Sequence, residues 1–331
     1  MNRRRPLTVA VTIAIALGVA ACGGGDEPTT GADAGAGDAG AGDDAAGSVT
    51  IDHLYGSTTL AGVPERIVSL DSQWTDVLVA LDAPPAAAAL DPVATEGRFP
   101  WQDDMPDSVE PIPVDDNAIP YEAVAAARPD LIVITYFAPD QEAYDRLSEI
   151  APTIPLLGDE QVDPWQDIAT AAGQILHDED GAAALIDDAT EAAAAVRAEL
   201  PGLEGKTYAL ANYVPGDAIY VVADPDDGAS RFFAELGLQI DPDLLEIADG
   251  EAGRVALSLE QIDQLDADLL VMLTNGAETS EITGYDSLPA VQSGAVALLD
   301  VEDVTGLNTP SPLSVPYALE RIRPALEAAA A

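Results

Sequence analysis

Short apolar runs alternate with stretches of helical periodicity along residues 49–331. This alternation is typical of α/β proteins in which most strands are parallel. The predicted strands are residues 66–70, 131–135, 153–157, 207–212, 218–223, 269–273 and 295–299. The predicted helices are residues 73–81, 140–150, 164–200, 231–236 and 316–329. The pattern therefore predicts helices interleaved with strands on both sides of one long helical stretch.

That long stretch covers residues 164–200, is rich in Ala and is closed by Pro201 and Gly202. The polar segment Asp178 to Gly181 is a weak point where this helix could break. Because strands precede and follow it, we expect two Rossmann-like α/β lobes with mostly parallel sheets, joined by a single long helix. A ligand cleft is then expected between the lobes, since domain interfaces commonly hold ligand sites.

An internal similarity supports the division into two lobes. Glu122 opens the segment EAVAAARPDLIV and Glu260 opens EQIDQLDADLLV, each with an Asp eight residues later, directly before an apolar strand. The two copies lie on either side of the long helix. Helix capping is an alternative explanation for each Glu, because an acid in the first turn favours the helix dipole, and Ser258 with Gln261 fits a capping box.

The first 21 residues have the pattern of an export signal. Three arginines, Arg3 to Arg5, precede an apolar run of 15 residues from Leu7 to Ala21. This run is shorter than the ~20 residues of a membrane-spanning helix. Cys22, the only Cys of the chain, follows two Ala residues directly, which resembles a bacterial lipobox and predicts a lipidated first residue of the mature protein. An ordinary cleaved signal beside an incidental Cys is the alternative.

Composition limits the remaining organisation. Residues 23–48 contain almost only Gly, Ala, Asp and Thr and cannot bury enough apolar surface to fold, so residues 22–48 are predicted to form a lipidated, disordered tether. We expect an N-terminal lobe over residues 49–163, the connecting helix over 164–200 and a C-terminal lobe over 201–331. Asp and Glu number 59 against 13 Lys and Arg, for a net charge of -46, which argues against nucleic-acid binding. A solvated acidic surface and attraction of a cationic ligand both fit this charge.

Few residues support catalysis or direct metal binding. His53 and His177 are isolated, and one Cys cannot form a disulfide framework or a thiolate zinc site. The chain has no nucleophile elbow and no phosphate-cradling glycine loop. A pair of carboxylates acting as in glycoside hydrolysis remains an alternative, a secreted lipoprotein hydrolase. We expect a protein that is not an enzyme and has no cofactor.

Five stretches, in this order and spacing, resemble a known family across roughly residues 60 to 325. They are Val63–Leu70, Tyr121–Val133, Leu147–Thr153, Tyr285–Val291 and Ser311–Tyr317. The family is the solute-binding lipoproteins of ABC importers, in the branch that binds ferric siderophores and cobalamin. The resemblance implies a monomer anchored outside the cytoplasm that captures an iron(III)–siderophore, with iron arriving only as a chelate, and delivers it to a permease dimer with its ATPase. Cobalamin or haem as ligand remains an alternative.

The resemblance also implies that one Glu on each lobe docks onto arginines of the permease, and these map to Glu122 and Glu260. Ligands of open α/β sheets lie beyond the carboxyl ends of strands, and Arg and aromatic side chains suit chelates with oxygen shells. The predicted ligand contacts are Trp74, Trp101, Tyr136, Tyr213, Arg231 and Arg254. Core packing is the alternative explanation for each aromatic residue, and the scarcity of basic residues leaves a neutral or cationic hydroxamate chelate open.

The lipid anchor is directly testable. We expect Cys22→Ser to release the protein from the membrane, because a cleaved signal peptide cannot retain the mature chain. Cell fractionation and mass spectrometry of the mature N-terminus measure both effects. A mature terminus beyond Cys22 without an acyl group would contradict the prediction.

Overall fold

Two large sheets, a two-stranded sheet and the helices packed on them make up the part of the chain that the computed structural model describes, residues 47–114, 118–135, 140–160, 162–248 and 253–331. The strands are β1 Val49–His53, β2 Gly56–Leu60, β3 Ile67–Ser69, β4 Ala87–Ala89, β5 Glu110–Ile112, β6 Leu131–Val133, β7 Thr153–Ile154, β8 Thr207–Tyr213, β9 Ala218–Val222, β10 Gln239–Ile240, β11 Arg254–Ser258, β12 Leu269–Leu273 and β13 Val296–Leu299. The α-helices are α1 Ser72–Ala80, α2 Tyr121–Ala126, α3 Gln141–Ser148, α4 Trp165–Leu176, α5 Glu179–Glu199, α6 Gly228–Glu235, α7 Pro242–Ala248, α8 Pro289–Ser293, α9 Val301–Asn308 and α10 Ser314–Ala329. Within these ranges, no helix has the length and apolarity needed to cross a bilayer. Cys22 and the predicted signal peptide lie outside the described residues.

Each of the two large sheets belongs to one lobe. In the first lobe the strand order is β5-β4-β3-β6-β7, with every pair parallel. In the second lobe the order is β11-β9-β8-β12-β13, with β10 also paired to β8. Here β8 pairs with β12, β12 with β13 and β10 with β8 in parallel, whereas β9 is antiparallel to both neighbours. The central strands β6 and β12 are buried along their whole length, as expected for strands covered on both faces.

The prediction of a single long connecting helix is wrong. The stretch forms two helices, α4 and α5, separated at His177, whose φ of 56° is left-handed. Asp178 accepts a hydrogen bond from Gly181 N and so starts α5 afresh. Gly173 makes the tight turn possible, because a Cβ there would lie 2.6 Å from the Cβ of Ala182. The break therefore falls where the sequence pattern placed a weak point.

Helix α5, unlike α4, contributes buried residues to the hydrophobic cores of both lobes. Helix α4 packs on α1, and its apolar face joins the hydrophobic core of the first lobe. In α5, Ala189 belongs to that same core, whereas Ala193 and Val196 belong to the core of the second lobe. Helix α5 thus passes from one lobe to the other.

The internal similarity of the sequence has a structural counterpart. Asp130, just before β6, accepts hydrogen bonds from the backbone N–H groups of Glu65 and Arg66 at 2.8 Å each, just before the neighbouring strand β3. Asp268, just before β12, accepts a hydrogen bond from Thr207 N at 2.9 Å, at the start of the neighbouring strand β8. In both lobes an aspartate therefore ties together the beginnings of two paired parallel strands, and the two segments occupy equivalent places.

Candidate ligand-binding site

A cavity of about 370 Å³ lies between the lobes. The first lobe lines it with residues that follow β3 and β4, namely Leu70, Asp71, Ser72, Leu90 and Asp91, and with much of the segment from Ala94 to Val109. The second lobe lines it with Thr305 and Thr309 from α9 and its C-terminal end. Because the carboxyl ends of parallel strands are where open α/β sheets bind ligands, this cavity is the candidate site.

One wall of the cavity is the loop that holds Arg98. Its Nη1 donates to the backbone carbonyl of Met105 at 2.8 Å, and its Nη2 donates to Oδ1 of Asp107 at 3.3 Å. Arg98, Met105 and Asp107 all line the cavity. Arg98 was not predicted as a site residue, although it lies three residues before Trp101 in a loop with Gly97 and Pro100. Its closeness to Trp101 in this loop was the signal that could have identified it.

Asp71 shapes the floor of the cavity. Its Oδ1 accepts a hydrogen bond from Trp74 N and caps α1, while its Oδ2 accepts from the N–H of Thr135 at 2.7 Å. These bonds connect the carboxyl end of β3 with that of its neighbour β6. The side chain is only 6% exposed, so its main contribution to the site is to position the start of α1 and the end of β6.

Behind the Arg98 loop, Asp76 joins the two lobes. Its Oδ2 accepts hydrogen bonds from Trp101 Nε1 at 2.8 Å and from Oγ of Ser311 at 2.5 Å, and its Oδ1 accepts from Gln102 Nε2 at 2.6 Å. Trp101 and Gln102 belong to the first lobe, whereas Ser311 precedes α10 of the second. Burial raises the pKa of the Asp76 carboxyl to about 6, against the opposing effect of these three hydrogen bonds.

Trp101 braces the cavity wall from behind and is not one of the residues that line the cavity. Its ring stacks on Phe99, with centroids 4.6 Å apart, and lies against Tyr317 at 5.5 Å. Gly306 of α9 leaves room for the indole, because a Cβ there would approach it to 2.9 Å. Trp101 therefore links the two lobes, and its contact with a ligand stays a prediction.

Two further aromatic predictions are wrong, and one lies outside the described residues. Trp74 is 0% exposed, because the amphipathic helix α1 turns it toward the core that α1 forms with α4. Tyr213 ends β8 but packs in the core of the second lobe and is 9% exposed. Tyr136 falls outside the described residues.

The two predicted arginines lie in the second lobe. Arg231 on α6 forms an ion pair with Glu160 of the first lobe and lines a separate cavity of about 400 Å³ between α4 and α6. Arg254 on the edge strand β11 donates to Oδ1 of Asn308 at 2.8 Å. Neither is among the described residues that line the candidate site, so ligand contact by these two arginines stays a prediction.

The two glutamates predicted to dock onto a permease are both exposed. Glu122 lies in the first turn of α2, and Glu260 lies in a short 3₁₀ helix, Leu259–Gln264. The capping box predicted there is present: Gln261, and not Glu260, accepts the hydrogen bond from Ser258 N. In the part of the chain that the structure describes, no three His, Cys, Asp or Glu side chains are grouped so that they could hold a metal ion.

Comparison with known proteins identifies the family that has this architecture. Residues 67–302 match the family described as periplasmic binding protein. The chain belongs to the periplasmic binding protein family. The match runs from the start of β3 into α9 and so includes both sheets and both lobes that line the cavity.

Several members of this family are similar along most of the chain. The probable siderophore-binding lipoprotein YfiY of Bacillus subtilis is 24% identical over 293 residues, covering 82% of this chain and 86% of YfiY. A periplasmic solute binding protein of Mycobacterium smegmatis has a crystal structure with a TM-score of 0.72 and 28% identity, covering 86% of this chain and 100% of that one. The Streptococcus pneumoniae protein PiaA, solved in complex with ferrichrome, has a TM-score of 0.70 at 22% identity and covers 85% of this chain and 98% of its own.

The buried carboxylate of Asp76 predicts a pH dependence of stability for this periplasmic binding protein. Its pKa of about 6 in the folded state lies above the ordinary value of 3.8. Between these two pH values the folded state holds a proton that the unfolded state has released, so the free energy of unfolding falls as pH rises, by at most about 3 kcal/mol. Asp76→Asn should remove this fall, because a carboxamide does not titrate.

Urea unfolding at pH 4.5 and pH 7.5 measures the effect. The Asn variant loses one hydrogen bond at both pH values, because its NH₂ group cannot accept from Trp101, Gln102 or Ser311. The free energy of unfolding of the Asn variant minus that of the parent should therefore be more positive at pH 7.5 than at pH 4.5. Asp82→Asn, an exposed change just after α1, controls for the lost charge. Parallel stability curves for the parent and Asp76→Asn would show that this carboxyl does not control the slope.

Proposed function

We propose that this protein is the extracytoplasmic solute-binding component of an ABC importer, which captures an iron(III)–siderophore and delivers it to a membrane permease. The observation that carries this proposal is the cavity at the carboxyl ends of β3 and β4, closed on its other side by α9 of the second lobe. A site built from two lobes encloses a ligand, and a small separation of the lobes releases it. A protein that captures a ligand and then transfers it must be able to enclose the ligand and to release it.

The relatives support the choice of ligand class. YfiY is named as a siderophore-binding lipoprotein. A ferric enterobactin-binding periplasmic protein of Escherichia coli, FepB, is 34% identical over 154 residues, covering 44% of this chain and 47% of FepB. By the same reasoning we propose that iron is cargo, held by the chelator and not by protein ligands, and that the protein binds without catalysis. We also propose that Cys22 anchors a monomer to the outer face of the cell membrane.

Ligand capture is tested by thermal unfolding with a panel of candidates. Only a ligand that binds the folded state raises its melting temperature. We expect at least one ferric chelate to raise it, and cobalamin, haem, oligosaccharides and iron-free siderophores to leave it unchanged. Stabilisation by sugars alone would contradict the proposal and favour the alternative of a carbohydrate-active hydrolase.

Thr305→Trp locates the binding site in the same assay. Thr305 lines the cavity from α9, so an indole there should fill the space and weaken chelate binding by about 100-fold or more, a ~2.7 kcal/mol effect. Thr170→Trp is the matched control, because both threonines lie on helices and donate their Oγ1 at 2.8 Å to the carbonyl of the residue four positions earlier. Equal chelate binding by Thr305→Trp and Thr170→Trp would place the ligand elsewhere.

We further propose that Glu122 and Glu260 dock onto basic residues of the permease. Both are exposed, and each precedes by eight residues the aspartate that ties two strands together in its lobe. Two carboxylates at equivalent places of two lobes suit a partner made of two similar halves. Because Gln261 closes the capping box in the second lobe, capping does not require the carboxylate of Glu260.

Charge reversal separates docking from capping. In Glu122→Arg and Glu260→Arg, we expect chelate affinity and melting temperature close to those of the parent. Uptake and stimulation of the transporter ATPase should fall about tenfold or more, and most in the double variant, because close charge pairs between proteins couple by ~1.5 kcal/mol or more. Glu142→Arg is the control, since Glu142 is also an exposed acid in the first turn of a helix of the first lobe.

Capping alone predicts the opposite result. Stability would then fall by about 1 kcal/mol in each variant, Glu142→Arg included, while transport per folded molecule stayed normal. Such a result would leave Glu122 and Glu260 as helix caps.

A further inference from the structure

The charges lining the cleft cavity are unequal. Asp71, Asp91, Glu96 and Asp107 face one basic residue, Arg98, among the described residues that line it. The whole chain carries a net charge of -46, so the surroundings do not reverse this balance. Charges within a Debye length of about 8 Å act on a bound ligand most strongly, and here they are mainly negative.

Arg98 is already engaged by its own loop. Its guanidinium donates to Asp107 and to the carbonyl of Met105. An anionic ligand would have to compete with the carboxylate of Asp107 for this group. Asp107 is fully exposed, so this pair is weak by itself, but its charge nevertheless offsets that of Arg98 at the cavity wall.

Arg231 and Arg254 of the second lobe both lie near carboxylates, although Arg254 donates to the neutral amide of Asn308 and is in no ion pair within the described ranges. Arg231 is paired with Glu160. Arg254 and Arg231 both act on Asp227, where burial raises the carboxyl pKa and the two arginines lower it. Each of these basic groups is therefore accompanied by at least one carboxylate. All Lys and Arg of residues 49–331 lie within the described ranges.

Asp91 is the carboxylate best placed to respond to ligand charge. It lies two residues beyond the carboxyl end of β4, is half-buried and lines the cavity. Its Oδ1 accepts a hydrogen bond from Val93 N at 3.0 Å, and no ion pair within the described ranges includes it. Burial raises its pKa, so a cationic group nearby would stabilise the ionised form.

We propose that the cleft selects ferric chelates of neutral or positive charge, tris-hydroxamates in chemical class, and that Asp91 is the residue that discriminates between charges. Three singly charged hydroxamates neutralise Fe(III), and a terminal amine makes the chelate cationic. Three catecholate dianions instead leave it strongly anionic, and like charges placed together in a partly desolvated site cost free energy. This proposal rests on the proposed function, since it concerns which siderophores the same cleft accepts.

Two chelates that differ only in charge test the proposal. Ferrioxamine B carries a terminal amine, and its N-acetyl derivative is the same chelate without that positive charge; ferric enterobactin represents the anionic catecholates. Affinities are measured by fluorescence titration at pH 7.5 and low salt. We expect both hydroxamates to bind, the amine form about threefold to tenfold more tightly, and ferric enterobactin at least about tenfold more weakly than either.

Asp91→Asn should remove the preference for the amine. The carboxamide keeps an oxygen that accepts from Val93 N, so the loop should be retained while the charge is lost. We expect the affinity ratio of ferrioxamine B to its acetylated form to approach unity. Glu110→Gln is the control: Glu110 is exposed, and its neighbours Val109 and Pro111, not Glu110 itself, line the cavity. The ratio should stay unchanged in that variant.

Tighter binding of ferric enterobactin than of the hydroxamates would overturn the charge selection and leave siderophore capture intact. An unchanged ratio in Asp91→Asn would overturn the role of Asp91. Absence of binding by ferric chelates of every charge would overturn the proposed function itself, together with this inference.

Discussion

The carboxylate of Asp76 is the group on which the arrangement of the lobes depends most. It lies on α1 of the first lobe, is 1% exposed, and accepts hydrogen bonds from Trp101, Gln102 and Ser311. Without the carboxylate, these donors would be left in a buried place without an acceptor, which costs more than the hydrogen bonds contribute by themselves. The wall of the cavity and the start of α10 are thus held by one acidic group.

Neighbouring contacts strengthen the same joint. The side chain of Gln73 donates to the carbonyl of Pro310 at 2.8 Å, and Ser311 and Ser314 bond reciprocally at the start of α10. Glu302 on α9 accepts a hydrogen bond from Thr95 N at the edge of the cavity. Helix α5 also packs into the cores of both lobes. Because packed cores do not deform continuously, any closure on a ligand must repack this joint or bend at its loops.

The few basic residues of the chain are largely used in ion pairs that hold the structure. Arg321 of α10 pairs with Asp303 of α9, and Arg323 of α10 pairs with Glu199 of α5. Arg98 holds its own loop, and Arg231 bridges the lobes. An acidic protein with its arginines engaged in this way presents a cleft in which carboxylates outnumber cations. The proposed preference among ferric chelates and the acidic surface then have one origin, the scarcity of Lys and Arg in the chain.

Some features could be predicted from the sequence alone. The strand Leu269–Leu273 was predicted with the bounds that the structure has, because a strand buried on both faces is a continuous apolar run. The similar segments at Glu122 and Glu260 predicted two equivalent lobes with a ligand cleft between them. The hairpin of β1 and β2 was not predicted, because two of its four buried positions are the polar residues His53 and Thr58, which weakens the apolar alternation typical of a strand.

The site itself was decided by tertiary structure. Trp74 and Arg98 both follow a strand of the first sheet in sequence, yet one is buried in the core and the other lines the cavity. Sequence position indicates that a side chain follows a strand, but not toward which neighbour it points. The partners of Asp76 show the same limit, since Ser311 lies 235 residues away and becomes a neighbour only when the second lobe returns to the first. Local pattern therefore determined the elements and their order, whereas burial and long-range contact, which depend on the packed lobes, determined which residues form the cleft.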